Sequence, residues 1–195
     1  MSLKNAAANY GSVAKWMHWG TALLFLVSFG SVYLREWLTE PKTPANMAAL
    51  HIHLSVGISL GVIVALRVIW RLTNRAPQNE PGSPMAHRAA HAGHLALYAV
   101  MILAPVTGYL ATGLNANYFF LFEIPSFKNT ELFQVVVVEG MGLDFKTFRE
   151  PLSFIHKEIL GTWLIGLLVL GHAGAALYHH YVLRDRTLVK MTTGK

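Results

Sequence analysis

The sequence predicts an all-α integral membrane protein: a four-helix bundle with both termini on the cytoplasmic side and a long periplasmic loop between helices 3 and 4. Three observations carry this. Hydrophobic residues make up 53% of the 195 residues against 13% charged, with a mean hydropathy of +0.40, too apolar for a soluble domain of this size. Four apolar segments each reach the roughly 20 residues that a helix needs to cross a hydrocarbon core of about 30 Å. Lys and Arg are unevenly shared among the connections.

Helix 1 is expected at about 16–34, free of Asp, Glu, Lys and Arg, with Trp16, Trp19 and Trp37 as interface anchors. It is N-terminal and preceded by Lys4 and Lys15, but it is longer than a signal-peptide core and aromatic at both ends, so it reads as a retained span. Helix 2, about 51–72, is uncharged until Arg67. Helix 3, about 91–114, is uncharged and holds Pro105, which membrane helices tolerate. Helix 4, about 153–183, begins after Pro151 and is uncharged over about Ile159 to Leu183, so no intramembrane Asp or Glu is expected. The whole chain, 1–195, reads as one membrane domain.

Orientation follows from the positive-inside bias. The N-terminus, the stretch from Arg67 to Arg88 and the tail after Leu183 hold ten Lys/Arg against Glu80 and Asp185. The stretches Arg35 to Lys42 and Glu123 to Glu158 hold six Lys/Arg against eight acids. Both termini therefore face the cytoplasm, in a multi-pass protein of the bacterial inner membrane. The net charge of +6 does not point to nucleic acid, because the basic residues sit at the ends of apolar segments rather than on one soluble face. Lipid is the expected partner.

No cysteine occurs in these 195 residues, which excludes disulfides, iron–sulfur clusters and thioether-attached haem. Histidine is left as the good nitrogen ligand. Helix direction sorts the histidines into two layers. His51, His53 and His156 lie toward the outside; His18, His91, His94 and, about 24 Å deeper than His156, His172 lie toward the inside. A haem iron with two protein ligands has no open site for oxygen and suits electron transfer. In the outer layer such a haem would draw on helices 2 and 4; in the inner layer His18 and His172 are the most embedded, with His91, His94, His179 and His180 as rivals. Arg67 and Arg71, at i and i+4, suit haem propionates or a quinone head group, with snorkelling to the interface as the plainer reading.

Several stretches, in this order, are distinctive: Met17-His18-Trp19; His53 through Gly57 and Ser59; Arg67 and Arg71; His91, Gly93 and His94; Pro105 and Gly108; Ile155-His156; His172; His179-His180-Tyr181; Asp185; and Thr187-Leu188. With them the chain resembles, over essentially its whole length, the bacterial cytochrome b561 family, four-helix di-haem membrane proteins that include superoxide oxidase. The resemblance implies two haem b groups, the outer one held by His53 and His156 and the inner one by His18 and His172. His94 and His179 become candidates for a quinone site or proton relay at the cytoplasmic face, and ubiquinone a candidate cofactor.

The resemblance implies a di-haem cytochrome that moves electrons between a quinone pool and a periplasmic partner. Superoxide oxidation with ubiquinone reduction is an enzymatic version, although six acids against four Lys/Arg between Glu123 and Glu158 offer no evident funnel for an anion. The membrane anchor of a dehydrogenase or hydrogenase would use similar helices. A haem-free, histidine-lined ion transporter would share the topology, but the expected lack of intramembrane carboxylates argues against it.

One spacing departs from the family pattern, in which the two helix-4 histidines stand about fourteen residues apart and so on nearly one face. Here His156 and His172 are sixteen apart, about 160° around a regular helix. π-Bulges near Gly161, Gly166 or Gly171 would absorb the excess. His51, two residues from His53, points about 160° away and has no assigned role. Gly57, Gly61, Gly93, Gly108 and Gly171 would let backbones or a flat cofactor approach closely. The Val135 to Val138 run fits a short strand or a membrane-skimming helix turn.

Overall fold

The computed structural model describes residues 2–194; Met1 and Lys195, the ends of the expected domain, lie outside the described residues. Four helices are long and apolar enough to cross a membrane: α1 (Ser12–Trp37), α2 (Pro44–Thr73), α3 (Pro84–Ala111) and a fourth span (Phe145–Leu183). All four start earlier than the apolar pattern suggests, because local capping chemistry and not hydrophobicity sets helix starts. Thr43 accepts the Asn46 amide ahead of Pro44, Ser83 accepts the Ala86 amide ahead of Pro84, and Asp144 accepts the Thr147 amide. At α1 the partners come from a distance: the Asn5 side chain accepts the amide of the cap residue Gly11, and the Ser2 carbonyl accepts the amide of Ser12.

Helix 3 also ends at Ala111 and not at 114. Beyond it the chain turns extended at Thr112, and Asn115 accepts hydrogen bonds from the Ser126 amide and the Asn129 side chain, tying the next loop back. In the fourth span, Lys157 and Glu158 lie just ahead of the uncharged stretch, both exposed one and two residues after His156.

The fourth span is composite. A regular helix (Phe145–Phe154) widens into a π-helix (Ile155–Leu164), returns to α (Ile165–Tyr178) and closes on a second π turn (His179–Leu183). The first π segment contains Gly161 alone of the three glycines considered; Gly166 and Gly171 lie in regular helix. Thr162 donates its hydroxyl to the Lys157 carbonyl five residues back, the interval that a π-helix requires.

Between the two ends of the bundle lies an apolar layer of Val100, Ala104, Leu160 and Ile165, with Phe25, Phe29 and Leu168 packed against it. On the surface of α1, exposed Trp16 and Trp19 mark one end and the stacked pair Tyr33 and Trp37 the other. These are the aromatic belts expected at the two membrane surfaces.

Both chain ends meet the α2–α3 connection at one face. Asn5 donates to the Arg75 carbonyl, Gln78 to Ala7, and Lys190 to Gln78 while pairing with Glu80. Lys15 and Trp19 donate to the carbonyls of Thr192 and Met191. The opposite face carries the long connection. It holds an antiparallel hairpin, β1 (Ala116–Tyr118) with β2 (Phe122–Ile124), and a small aromatic core of Phe127, Phe133 and Val137 backed by Tyr109, Phe145 and Phe148. The valine run is helical rather than a strand, in the wide form of a π-helix (Gln134–Gly140).

Candidate functional site: two layers of facing histidines

On the loop side His53 of α2 faces His156 of the fourth span, with ring centres 6.1 Å apart. Each ring is fixed from behind. Nδ1 of His53 lies 3.3 Å from the Ser28 carbonyl and 3.1 Å from its hydroxyl, and Nδ1 of His156 lies 3.0 Å from the Ala104 carbonyl and 3.3 Å from the Thr107 hydroxyl. A carbonyl only accepts, so it fixes each Nδ1 as the N–H donor and leaves each Nε2 as a free lone pair. Gly108 makes the room: a Cβ there would sit 2.7 Å from Cε1 of His156. His156 can occupy this position only because the π segment reorients it. In regular helix it would lie about 160° from His172, and the wider π turn takes back most of that offset.

On the terminus side His172 sits between two other imidazoles, with ring centres 6.0 Å from His18 and 5.7 Å from His94. Among the described residues, none of these three rings has a hydrogen bond to its nitrogens, and His18 is positioned by an edge contact with Trp19. Arg67 lies near, its guanidinium 5.7 Å from the Tyr98 ring centre and 3.9 Å from the Met101 sulfur. Neither Arg67 nor Arg71 is among the ion pairs of the described residues, which are Arg35–Glu36, His179–Asp185 and Lys190–Glu80. Arg67 is half-buried and Arg71 exposed; a half-buried guanidinium without a carboxylate favours an anionic or strongly accepting ligand. Tyr10 belongs to this region: burial pushes its phenol above the usual value, and the nearby Arg71 charge pulls the other way.

The remaining histidines separate. His179 meets Asp185 at 2.5 Å, and Asp185 also accepts the Thr187 amide, which links the end of the fourth span to the terminal turn. Burial raises the Asp185 carboxyl, but the hydrogen bonds from His179 and Thr187 outweigh it and hold the group below the usual carboxylate range. His87 bonds the Glu80 carbonyl, the local capping contact expected of an interfacial histidine. His91 is exposed, and His180 makes an edge-on contact with the Tyr181 ring. His51 does have a partner, for its Nδ1 accepts the Asn117 amide of the hairpin. Sequence reading missed this because β1 and β2 carry only three residues each. The one signal was polar spacing, His51, Ser55 and Ser59, on a helix face that is otherwise apolar.

The glycine pattern splits in two. A Cβ at Gly61 would touch Pro105 at 3.6 Å, whereas at Gly57, Gly93 and Gly171 it would meet nothing within 4 Å. The last three lie one residue or one turn from His53, His94 and His172 along their helices, and the space at each is open. Among the described residues no three His, Asp or Glu side chains converge to hold a bare metal ion. Paired imidazoles suit an iron whose other ligands come from a macrocycle.

This arrangement defines a membrane bundle built around opposed imidazoles, and the comparisons with known proteins agree. The prokaryotic cytochrome b561 family model matches residues 9–194, and the chain belongs to that family. It is 29% identical to Cytochrome b561 homolog 2 of Escherichia coli (strain K12), over 98% of this chain and 95% of that protein. It is 28% identical to the Probable superoxide oxidase CybB of Yersinia pestis, over 92% and 93%. To Cytochrome b562 of Cereibacter sphaeroides it is 25% identical, over 90% and 89%. The chain is thus a bacterial multi-pass membrane protein of electron transfer, and its family implies haem b.

Proposed function

We propose that this protein is a di-haem cytochrome of the inner membrane that passes electrons between a quinone at the terminus-bearing face and a donor or acceptor at the loop face. His53 and His156 would hold one haem b, His18 and His172 the other. The supporting observation is the pair of ring separations, 6.1 and 6.0 Å. Two imidazole–metal bonds of about 2 Å with the ring radii added give roughly 6 Å between centres. At the outer pair the free Nε2 lone pairs fit as well. The open space beside Gly57, Gly93 and Gly171 is a cradle that a Cβ would fill.

Haem held between two histidines would supply one-electron redox chemistry with no site left open for oxygen. The protein's own residues do the rest. Ser28 and Ala104 fix the outer ring orientation through Nδ1, a device that also makes a ligand more basic. The layer of Val100, Ala104, Leu160 and Ile165 keeps water from the space between the two histidine levels. Arg67 and Arg71 offer cations to propionates or to a quinone oxygen. His179, oriented by Asp185, is placed to exchange a proton with a quinone at the membrane surface.

The name of the Yersinia pestis relative favours a second reading, superoxide oxidation with quinone reduction. Two measurements test these readings in order. The purified protein is expected to show a reduced b-type spectrum with about two haems per chain, and a His172→Ala variant to lose one of them; a colourless protein ends the proposal. Mixing the oxidised protein with superoxide and a soluble ubiquinone analogue then separates the two. Rapid haem reduction followed by quinol formation supports the oxidase, and no reaction leaves a carrier between quinone and a protein partner.

A further inference from the structure

We propose that the β1–β2 hairpin is a wedge seated in the membrane, its tip from Phe119 to Phe122 lying among lipids beside α2 at the boundary between head groups and acyl chains. Three independent observations lead there. The first is the face on which it lies. His51, Ser55 and Ser59 recur every four residues along one side of α2, and that side continues through Val62, Leu66 and Ile69, which are 59%, 48% and 58% exposed. In a membrane bundle an exposed apolar stripe of this kind is the lipid-facing side. The hairpin therefore covers the outer part of a lipid-facing stripe, and the polar residues of α2 lie beneath it.

The second observation is how its backbone is satisfied. Irregular backbone is tolerated at membrane depth only where protein meets its polar groups. Here α2 side chains do so: His51 Nδ1 accepts the Asn117 amide, Ser55 accepts the Phe119 amide at 2.9 Å and donates to the Asn117 carbonyl, and Ser59 bonds the Tyr118 hydroxyl. These contacts also fix depth. His53 is level with Ser28, five residues or about 7 Å inward of Tyr33 in the aromatic belt, and Ser55 is about 3 Å further in. On the fourth span, exposed Lys157 and Glu158 lie next to His156 at the same level, so the boundary passes close to the tip. Glu123 pairs with Asn117 at the His51 level, outward of the tip, where its carboxylate reaches the head groups.

The third observation is the tip itself. Phe119 and Phe120 adopt φ of 46° and 63°, left-handed values that Gly or Asn adopt at little cost. A turn facing water would gain by using those residues. Instead the strained positions carry phenylalanines, followed by Leu121 at 78% and Phe122 at 55% exposure. Lipid contact by those side chains offsets the strain.

The absence of cysteine makes the test direct, since a single Leu121→Cys carries the only thiol. Leu121 is not among the positive-φ residues, so the change adds no backbone strain. The full chain, spin-labelled and reconstituted into phosphatidylcholine vesicles, is compared for collisions with oxygen and with a water-soluble nickel chelate. Val62→Cys serves as the lipid reference and Glu131→Cys, in the exposed loop, as the water reference. The expected oxygen-to-nickel ratio at Leu121 is several-fold above that at Glu131 and approaches that at Val62. A ratio equal to that at Glu131 overturns the proposal. So does an immobilised label shielded from both reagents, which would assign the tip to a protein partner or a second copy. Phe122→Cys repeats the measurement from the strand if Leu121→Cys does not fold.

Discussion

His53 and His156 are each held by a hydrogen bond from behind, in a pocket cleared by Gly108, whereas His18 and His172 are held by packing alone, with His94 as a third imidazole beside them. Among the described residues the loop-side pair has no nearby substitute, because His51 is turned to the hairpin. The terminus-side pair, inner on the proposed topology as the loop-side pair is outer, has both a substitute and two arginines without a carboxylate partner in its neighbourhood. One level is therefore preorganised for one ligand set, while the other is adaptable and more cationic. A fixed level suits a permanent relay. An adaptable, cation-rich level suits the end where a diffusible acceptor docks.

The largest expected effect breaks or confirms that asymmetry. On the proposed ligand set of two haems, His156→Ala should abolish one outright, removing about half of the b-type absorbance. His18→Ala should retain part of the other, since His94 and His172 already stand 5.7 Å apart. Only the double variant His18→Ala/His94→Ala should empty the inner level completely. Haem counted by pyridine extraction reads all three. Equal losses in His156→Ala and His18→Ala would mean that His94 is no reserve ligand.

Next in size is Gly108→Ala. The new methyl would sit 2.7 Å from Cε1 of His156, a ring held by two hydrogen-bond partners and unable to retreat freely, so overpacking of about 1–3 kcal/mol is expected at that level. The outer haem should bind more weakly and its low-spin spectrum should shift. Gly171→Ala meets nothing within 4 Å of protein, so its fold should be unaffected. A Gly108→Ala spectrum identical to the parent would mean that the His156 position is far softer than its contacts imply.

The two levels should also differ in potential. Cations favour the reduced state of a nearby iron, and a carbonyl bound to Nδ1 favours the oxidised state, so both effects place the inner wave above the outer. Arg67→Gln should lower the upper wave by on the order of 60 mV, a tenfold change in a one-electron equilibrium, and leave the lower wave nearly unmoved. A redox titration followed in the visible range distinguishes this from a uniform shift of both waves.

Much of this was legible in the sequence, for identifiable reasons. Four spans follow from apolar length, and both termini meeting one face agrees with the Lys/Arg asymmetry. The likeness to cytochrome b561 rested on residues such as His53, Arg67 and Gly108, and the family match agrees with it. Helix ends were less legible, because Thr43-Pro44, Ser83-Pro84 and Asp144 start helices well outside the apolar runs. A π segment was anticipated from the sixteen-residue spacing, but its extent was not, since no residue pattern marks where a helix widens. The hairpin and the role of His51 were invisible, as they depend on a three-residue register formed across the chain.

The smallest effect lies beyond the inner level, where the tail docks. Asp185 has its folded-state pKa depressed, so its contribution is present above the unfolded carboxylate value near 4 and is lost as pH falls through the lower folded value. Acid should therefore release the terminal turn before the bundle is disturbed. The Thr187 amide, bonded to Asp185 at 2.8 Å, should lose hydrogen-exchange protection below about pH 4, and Asp185→Asn should show weakened protection already at neutral pH. If Thr187 stayed protected in acid and in that variant, the tail would be held by Lys15, Trp19 and Lys190 rather than by the carboxylate.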